Sequence, residues 1–205
     1  RKEIVPRVQE HDLKGEFDFE SFRKLGDFGI LGLHFPESLG GGGADVVTTV
    51  LAGEALGEAG VDGGLTLAYG AHSFLCADTI FRHGTDDLRQ RYIPRLTRGE
   101  WIGCMGVSEP DAGSDVASLR TTAEKHGDRY VLNGVKMWIT NGPIADVAVV
   151  YAKTQPELQH AGISAFIVEK GTPGFTAGPP LIKMGVKTSQ TSELVFNHCE
   201  IPAEN

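Results

Sequence analysis

Met105-Gly106-Val107-Ser108-Glu109-Pro110-Asp111-Ala112-Gly113-Ser114-Asp115, followed about one hairpin later by Lys136-Met137-Trp138-Ile139-Thr140-Asn141-Gly142, marks where the chain changes character. Upstream of this stretch, apolar residues recur at three and four spacing, the period of helices. Downstream, short alternating runs are separated by turn dipeptides, the period of strands. The switch falls near Trp101, so the sequence predicts an α+β chain. An N-terminal α-helical bundle would cover residues 1–100, and a small antiparallel β-barrel domain residues 101–205. A length of 205 residues supplies two small cores more comfortably than one.

In the first half, Phe22, Leu25 and Phe28 form a helical stripe that ends in Gly29 to Gly32. Asp45 is a predicted N-cap for a helix through Ala59, a third helix runs from about Asp62 through Phe81, and Thr85 caps a fourth carrying Leu88, Tyr92 and Leu96. Gly40 to Gly43 reads as a flexible connector between helices. A phosphate loop is excluded there, because no strand precedes it and no Lys-Ser/Thr ending follows. In the second half, residues 119–124, 130–133, 135–140, 147–153, 163–169 and 193–197 read as strands. Asn133-Gly134 is the strongest hairpin signal, and His126-Gly127-Asp128 supplies a second turn.

Apolar residues at 40% and charged residues at 22% are ordinary for a globular protein. The formal charge of −8, with no cluster of lysine and arginine on any predicted element, excludes a nucleic-acid footprint and attraction to an anionic membrane surface. Cys76, Cys104 and Cys199 are odd in number and far apart, against a disulfide scaffold or a tetrathiolate metal site. The seven histidines show no metal-ligand spacing, so no metal is expected. No stretch approaches the roughly 20 apolar residues of a membrane span, and no secretory pattern opens the chain. A reducing compartment is expected, with a bacterial cytoplasm as first choice and the mitochondrial matrix as alternative. Because the chain starts at Arg1 without Met, inside a helical pattern, it reads as a piece of a longer protein.

Strand alternation places Lys136, Trp138 and Thr140 on one face and Val135, Met137 and Ile139 on the other. An isolated strand tryptophan is ordinarily a cover for the core. Here it stands beside a hydroxyl and downstream of a turn-rich run in which Pro110 fixes one φ and Gly113 is free to take a positive one. Such a run can offer backbone N–H groups and the Ser108 and Ser114 hydroxyls to carbonyls and phosphates, or serve merely as a surface turn between domains. Together, the plate and the loop suit a flat heterocycle carrying phosphates, of which flavin is the leading candidate. Glu54 and Glu58 lie one helical turn apart and read as a solvated face, while the cysteines read as packing residues.

Ser108-Glu109-Pro110-x-Ala112-Gly113-Ser114-Asp115 together with Lys136-x-Trp138-Ile139-Thr140-Asn141-Gly142 resembles the acyl-CoA dehydrogenase family. Supporting similarity runs through Phe35-Pro36-Glu37-x-Leu39-Gly40-Gly41, Gly84-Thr85, Arg91-Tyr92-x-Pro94-x-Leu96, Phe166-Ile167-Val168-Glu169 and Lys183-Met184-Gly185. Tyr69-Gly70-Ala71-His72-Ser73 and Asn141-Gly142-Pro143 look most like the short and branched-chain members. The resemblance implies the N-terminal helical and middle barrel domains of the family, without its C-terminal helical bundle. It implies FAD as cofactor, contacted by Met105, Val107, Ser108, Gly113, Ser114, Trp138, Ile139 and Thr140, and an acyl-CoA substrate touched by Ser114 and His160.

The implied reaction is dehydrogenation of a short or branched acyl-CoA to the trans-2-enoyl-CoA, with electrons passed to an electron-transferring flavoprotein and a homo-tetrameric intact enzyme. The family's catalytic glutamate lies in the missing bundle, so no catalytic residue is assigned here and the chain alone should be inactive and hold FAD weakly. The alternatives are an acyl-CoA oxidase, or a non-catalytic flavin- or CoA-binding module completed by a partner subunit. Asp111 and Met105 depart from the family pattern, which usually has glycine or asparagine at the first and in some members an aromatic at the second.

Overall fold

The computed structural model describes residues 2, 4–60 and 62–205. In it the chain divides into two compact units, Arg1–Gly103 with Leu181–Gln190, and Cys104–Pro180 with Thr191–Asn205.

The first unit holds α1 (Val5–Lys14), α2 (Phe19–Asp27), α3 (Val46–Glu58), α4 (Gly63–Gly70), α5 (Asp78–His83) and α6 (Asp86–Thr97), with a π-helical stretch, Ala71–Ala77, between α4 and α5. Short polar side chains start α3, α4 and α6 by taking backbone donors that have no intrahelical partner. Asp45 accepts from Thr48 N at 2.7 Å, Asp62 from Gly64 N and Leu65 N at 3.2 and 3.1 Å, and Thr85 from Leu88 N at 3.3 Å. Phe22, Leu31, Phe35, Leu65, Tyr92 and Leu96 are fully buried among them. Asp62 also accepts the Thr188 hydroxyl at 2.5 Å, while Gln190 Nε2 donates to Gly15 O at 3.0 Å, so residues 181–190 fold with the helices.

His72 sits in the π-helical stretch with no exposed surface. Its Nδ1 accepts from Gly103 N at 3.0 Å, so Nε2 carries the proton and donates to Leu96 O at 3.0 Å. Burial lowers its pKa to about 4, keeping the ring neutral. The glycine run differs from the expected flexible connector. Gly41 N, Gly42 N and Gly43 N are bound to Pro36 O, Gly32 O and Phe35 O, and a Cβ on Gly41 would lie 2.1 Å from Phe35 O. Close backbone approach, not mobility, explains the glycine there.

The second unit is a seven-stranded sheet curled about one core. Its strands are β1 (Gly103–Gly106), β2 (Thr122–His126), β3 (Arg129–Thr140), β4 (Val147–Lys153), β5 (Ile163–Glu169), β6 (Phe175–Ala177) and β7 (Thr191–Pro202). They run in the order β1-β4-β2-β3-β7-β6, with β5 also on β4. Leu132, Ile139, Val150, Phe166, Leu194 and Cys199 lie in its core. The pairings of β2–β3, β3–β7, β4–β5 and β6–β7 are antiparallel as expected, and one parallel pairing, Thr122 with Lys153 between β2 and β4, makes the sheet mixed.

Asn133-Gly134 is not a hairpin. β3 continues straight through it, and the β2–β3 turn is at Gly127-Asp128, with His126 paired to Arg129 and Gly127 at φ +63°. The reason is a bulge in the neighbouring strand. Leu132 pairs with Cys199 and Gly134 with Phe196, so β7 carries one residue more than β3 across that interval. Asn133 Oδ1 accepts the bulged His198 N–H at 2.8 Å. Gly134, at φ +149°, leaves room for Thr121, whose Oγ1 would be 2.5 Å from a Cβ there.

Candidate functional site

A second bulge, this time in β3, shapes the candidate site. Lys136 pairs with Leu194 and Ile139 with Ser192, which puts one extra residue into β3 and Trp138 at φ +65°. Positive φ is costly for a bulky side chain and tends to occur where structure serves a site. The bulge corrects the alternation expected from sequence. Lys136 and Ile139 turn inward, to 0% and 3% exposure, whereas Trp138 stands 63% exposed. Thr140, two residues past Trp138, follows it on the outer face and is half-buried.

The inward lysine meets a buried carboxylate. Lys136 Nζ donates to Glu109 Oε1 at 2.8 Å and to Val107 O at 3.2 Å. Glu109 also accepts from Arg120 N at 2.6 Å, Thr121 N at 2.9 Å and Thr121 Oγ1 at 2.5 Å. Burial alone would push the Glu109 carboxyl up, but the Lys136 ammonium, the Thr121 hydroxyl and the two backbone donors hold it below the usual carboxylate range. Burial pushes the Lys136 ammonium down, and Glu109 opposes that.

The turn-rich run is therefore stitched to β3. Ser108 O accepts from Met137 N at 2.8 Å, and Glu109 and Ala112 exchange backbone hydrogen bonds of 2.8 and 3.2 Å across Pro110-Asp111. Proline suits the first corner of such a turn because its φ is already set. Asp111 is turned outward, its side chain 70% exposed and 3.3 Å from Arg120 Nη1. Ser108 N–H finds no acceptor among the described residues. Gly113 does not adopt positive φ, and a Cβ on it would meet nothing within 4 Å. Packing within this chain thus does not account for that glycine.

Met105, Val107 and Ser108 are half-buried, while Gly113, Ser114 and His160 are exposed. The 3-10 turn Val116–Ser118, just beyond Ser114, packs against the Pro156–Gly162 turn that carries His160, so the two expected substrate contacts sit on adjoining segments. Ile139 departs from its expected role: its side chain belongs to the core, leaving only its backbone for a ligand. No group of three or more metal-ligating side chains occurs among the described residues. The three cysteines are buried and none forms a disulfide among the described residues, and burial raises Cys199 to about 11. Sequence reasoning missed the Glu109–Lys136 pair, since no spacing rule joins an acid in a turn to a lysine in a strand. The available signal was a lysine flanked by Val135 and Met137 inside the otherwise apolar run 135–139.

Comparison with known proteins adds a consistent picture. Residues 1–100 match the family model "Acyl-CoA dehydrogenase, N-terminal domain", and residues 104–199 match "Acyl-CoA dehydrogenase, middle domain". Mitochondrial isovaleryl-CoA dehydrogenase of Pongo abelii is 46% identical over 209 residues, covering 100% of this chain and 49% of the relative. The structure of butyryl-CoA dehydrogenase from Megasphaera elsdenii is 43% identical with a TM-score of 0.94, covering 100% of this chain and 54% of that one. That of a glutaryl-CoA dehydrogenase from Mycobacterium smegmatis in complex with FADH2 is 38% identical with a TM-score of 0.91, covering 98% and 50%. The chain spans about half the length of the curated relatives it matches.

Proposed function

The chain belongs to the acyl-CoA dehydrogenase family, and from that premise we propose that its second unit is the FAD-facing wall of an enzyme that dehydrogenates a short or branched acyl-CoA to the trans-2-enoyl-CoA. One observation carries the reading. Trp138 is a large apolar ring held 63% exposed on a backbone at φ +65°. Exposure and positive φ both cost free energy, and a flat ligand seated on the indole would offset them.

The surrounding residues fit the same group. Ser108 N–H lacks an acceptor among the described residues, Gly113 leaves open space beside the loop, and the Thr140 hydroxyl follows Trp138 on the outer face. FAD, when bound, supplies the acceptor for the hydride from the β-carbon. Trp138 covers one face and excludes water, while Thr140 and Ser108 fix the acceptor's position by hydrogen bonds. Met105, Val107 and Ser114 complete the wall, and Ser114 and His160 contact the acyl-CoA. The α-proton needs a carboxylate base. Glu109 cannot serve, because Lys136, Thr121 and two backbone donors occupy its oxygens. In our reading the base comes from outside this chain, which alone is inactive, and the intact tetramer passes electrons to an electron-transferring flavoprotein.

The test uses the full-length protein with isovaleryl-CoA and butyryl-CoA and a dye as electron acceptor. Acyl-CoA-dependent bleaching of a bound flavin is expected. Protein that binds no flavin, or a flavin that no acyl-CoA bleaches, would refute the proposal.

A further inference from the structure

We propose that Lys136 is a positioning residue for the flavin: by binding the Val107 carbonyl it fixes and polarises the Val107–Ser108 peptide, so that Ser108 N–H becomes a strengthened, fixed donor to the ring's acceptor atoms. The inference rests on the flavin reading above. Lys136 Nζ lies 3.2 Å from Val107 O and 2.8 Å from Glu109 Oε1. The peptide is trans, as are all those described, so the N–H on its other end points away from the ammonium. That N–H belongs to Ser108, and no described residue accepts it. A cation on a carbonyl strengthens the donor at the far end of the same amide, because charge-assisted and chained hydrogen bonds polarise one another.

The following peptide, Ser108–Glu109, is held at both ends, which fixes the chain on the far side of Ser108 N–H. Ser108 O is held by Met137 N at 2.8 Å, and Glu109 N by Ala112 O at 2.8 Å. Stability alone explains the pair poorly, since buried ion pairs are often no better for stability than apolar residues of the same size. Two residues on from Lys136 comes Trp138, so one side chain anchors both the amide donor and the start of the bulge that presents the indole. Lys136 itself touches neither ring nor substrate and acts only through Val107 and the bulge.

The experiment compares full-length wild type, Lys136→Met and Glu109→Gln/Lys136→Met, measuring melting temperature, FAD affinity and the visible spectrum of bound FAD. Lys136→Met leaves Glu109 buried without its cation and weakens the Ser108 donor, so it should melt lower, bind FAD about tenfold more weakly and shift the visible band of the FAD it holds. The double variant removes both charges. It should regain most of the melting temperature yet keep the weakened affinity and the shifted flavin band. A double variant with wild-type affinity and spectrum would mean that the pair only braces the fold, overturning the proposal while leaving the flavin reading intact. Wild type that binds no FAD would overturn both. Should the double variant not fold, Glu109→Gln with Lys136 retained answers the question. It should lose less FAD affinity than Lys136→Met, and equal losses would overturn the proposal.

Discussion

Gly134→Ala should be far more damaging than Gly127→Ala, although both glycines lie at positive φ. At Gly127, φ is +63° and a Cβ would meet nothing within 4 Å, so alanine costs only the left-handed penalty, about 1 kcal/mol. At Gly134, φ is +149°, and a Cβ would lie 2.5 Å from Thr121 Oγ1 and 2.7 Å from Thr121 Cα. The second of these atoms is backbone and cannot swing away. Strain at such a φ adds about 2 kcal/mol and the overlap about 2 kcal/mol more, for a loss of about 4 kcal/mol. Moving Thr121 also disturbs the hydroxyl that holds Glu109. Urea unfolding of the two variants beside wild type measures the difference, with the midpoint shift converted at a shared slope. A difference below about 1 kcal/mol would refute the bulge at Asn133-Gly134 and restore the hairpin suggested by its sequence.

Acid should destabilise the first unit through His72. Its folded pKa of about 4 lies below the ordinary 6.5, so the unfolded chain binds the proton first and stability falls by about 3 kcal/mol as pH drops from 6.5 to 4. Melting curves across that range should show the slope, and His72→Gln should remove it. Glu109, lowered from 4.5, should add a further loss of stability below that pH as its carboxylate is protonated. Asp62→Ala removes the α4 cap and the Thr188 acceptor, costing about 2 kcal/mol, and should speed tryptic cleavage at Lys183 or Lys187; unchanged cleavage would disprove the anchoring of residues 181–190. Trp138→Gly relieves backbone strain and removes an exposed ring, so the melting temperature should hold while FAD retention falls in the full-length protein. A large drop in stability would show that the indole is a packing residue.

Local chemistry was legible in the sequence, and chemistry that depends on a distant strand was not. Asp45, Asp62 and Thr85 announced their helices because a cap acts over three residues. The apolar runs Val147–Lys153 and Ile163–Glu169 announced β4 and β5 with their observed bounds. Asn133-Gly134 misled because its conformation is set by a bulge near His198, more than 60 residues away in sequence. Likewise the alternation through Lys136, Trp138 and Thr140 failed at one inserted residue, which no pattern within β3 announces. The loop and strand motifs were correctly singled out as one neighbourhood, yet the ion pair that joins them had no local signature.

A crystal structure of the full-length protein grown with FAD would decide whether the second unit is a flavin wall. The isoalloxazine should lie against the Trp138 indole, with Ser108 N–H and the Thr140 hydroxyl at hydrogen-bond distance from its acceptor atoms. A flavin bound elsewhere, with Trp138 still open to solvent and Ser108 N–H still without an acceptor, would overturn that assignment.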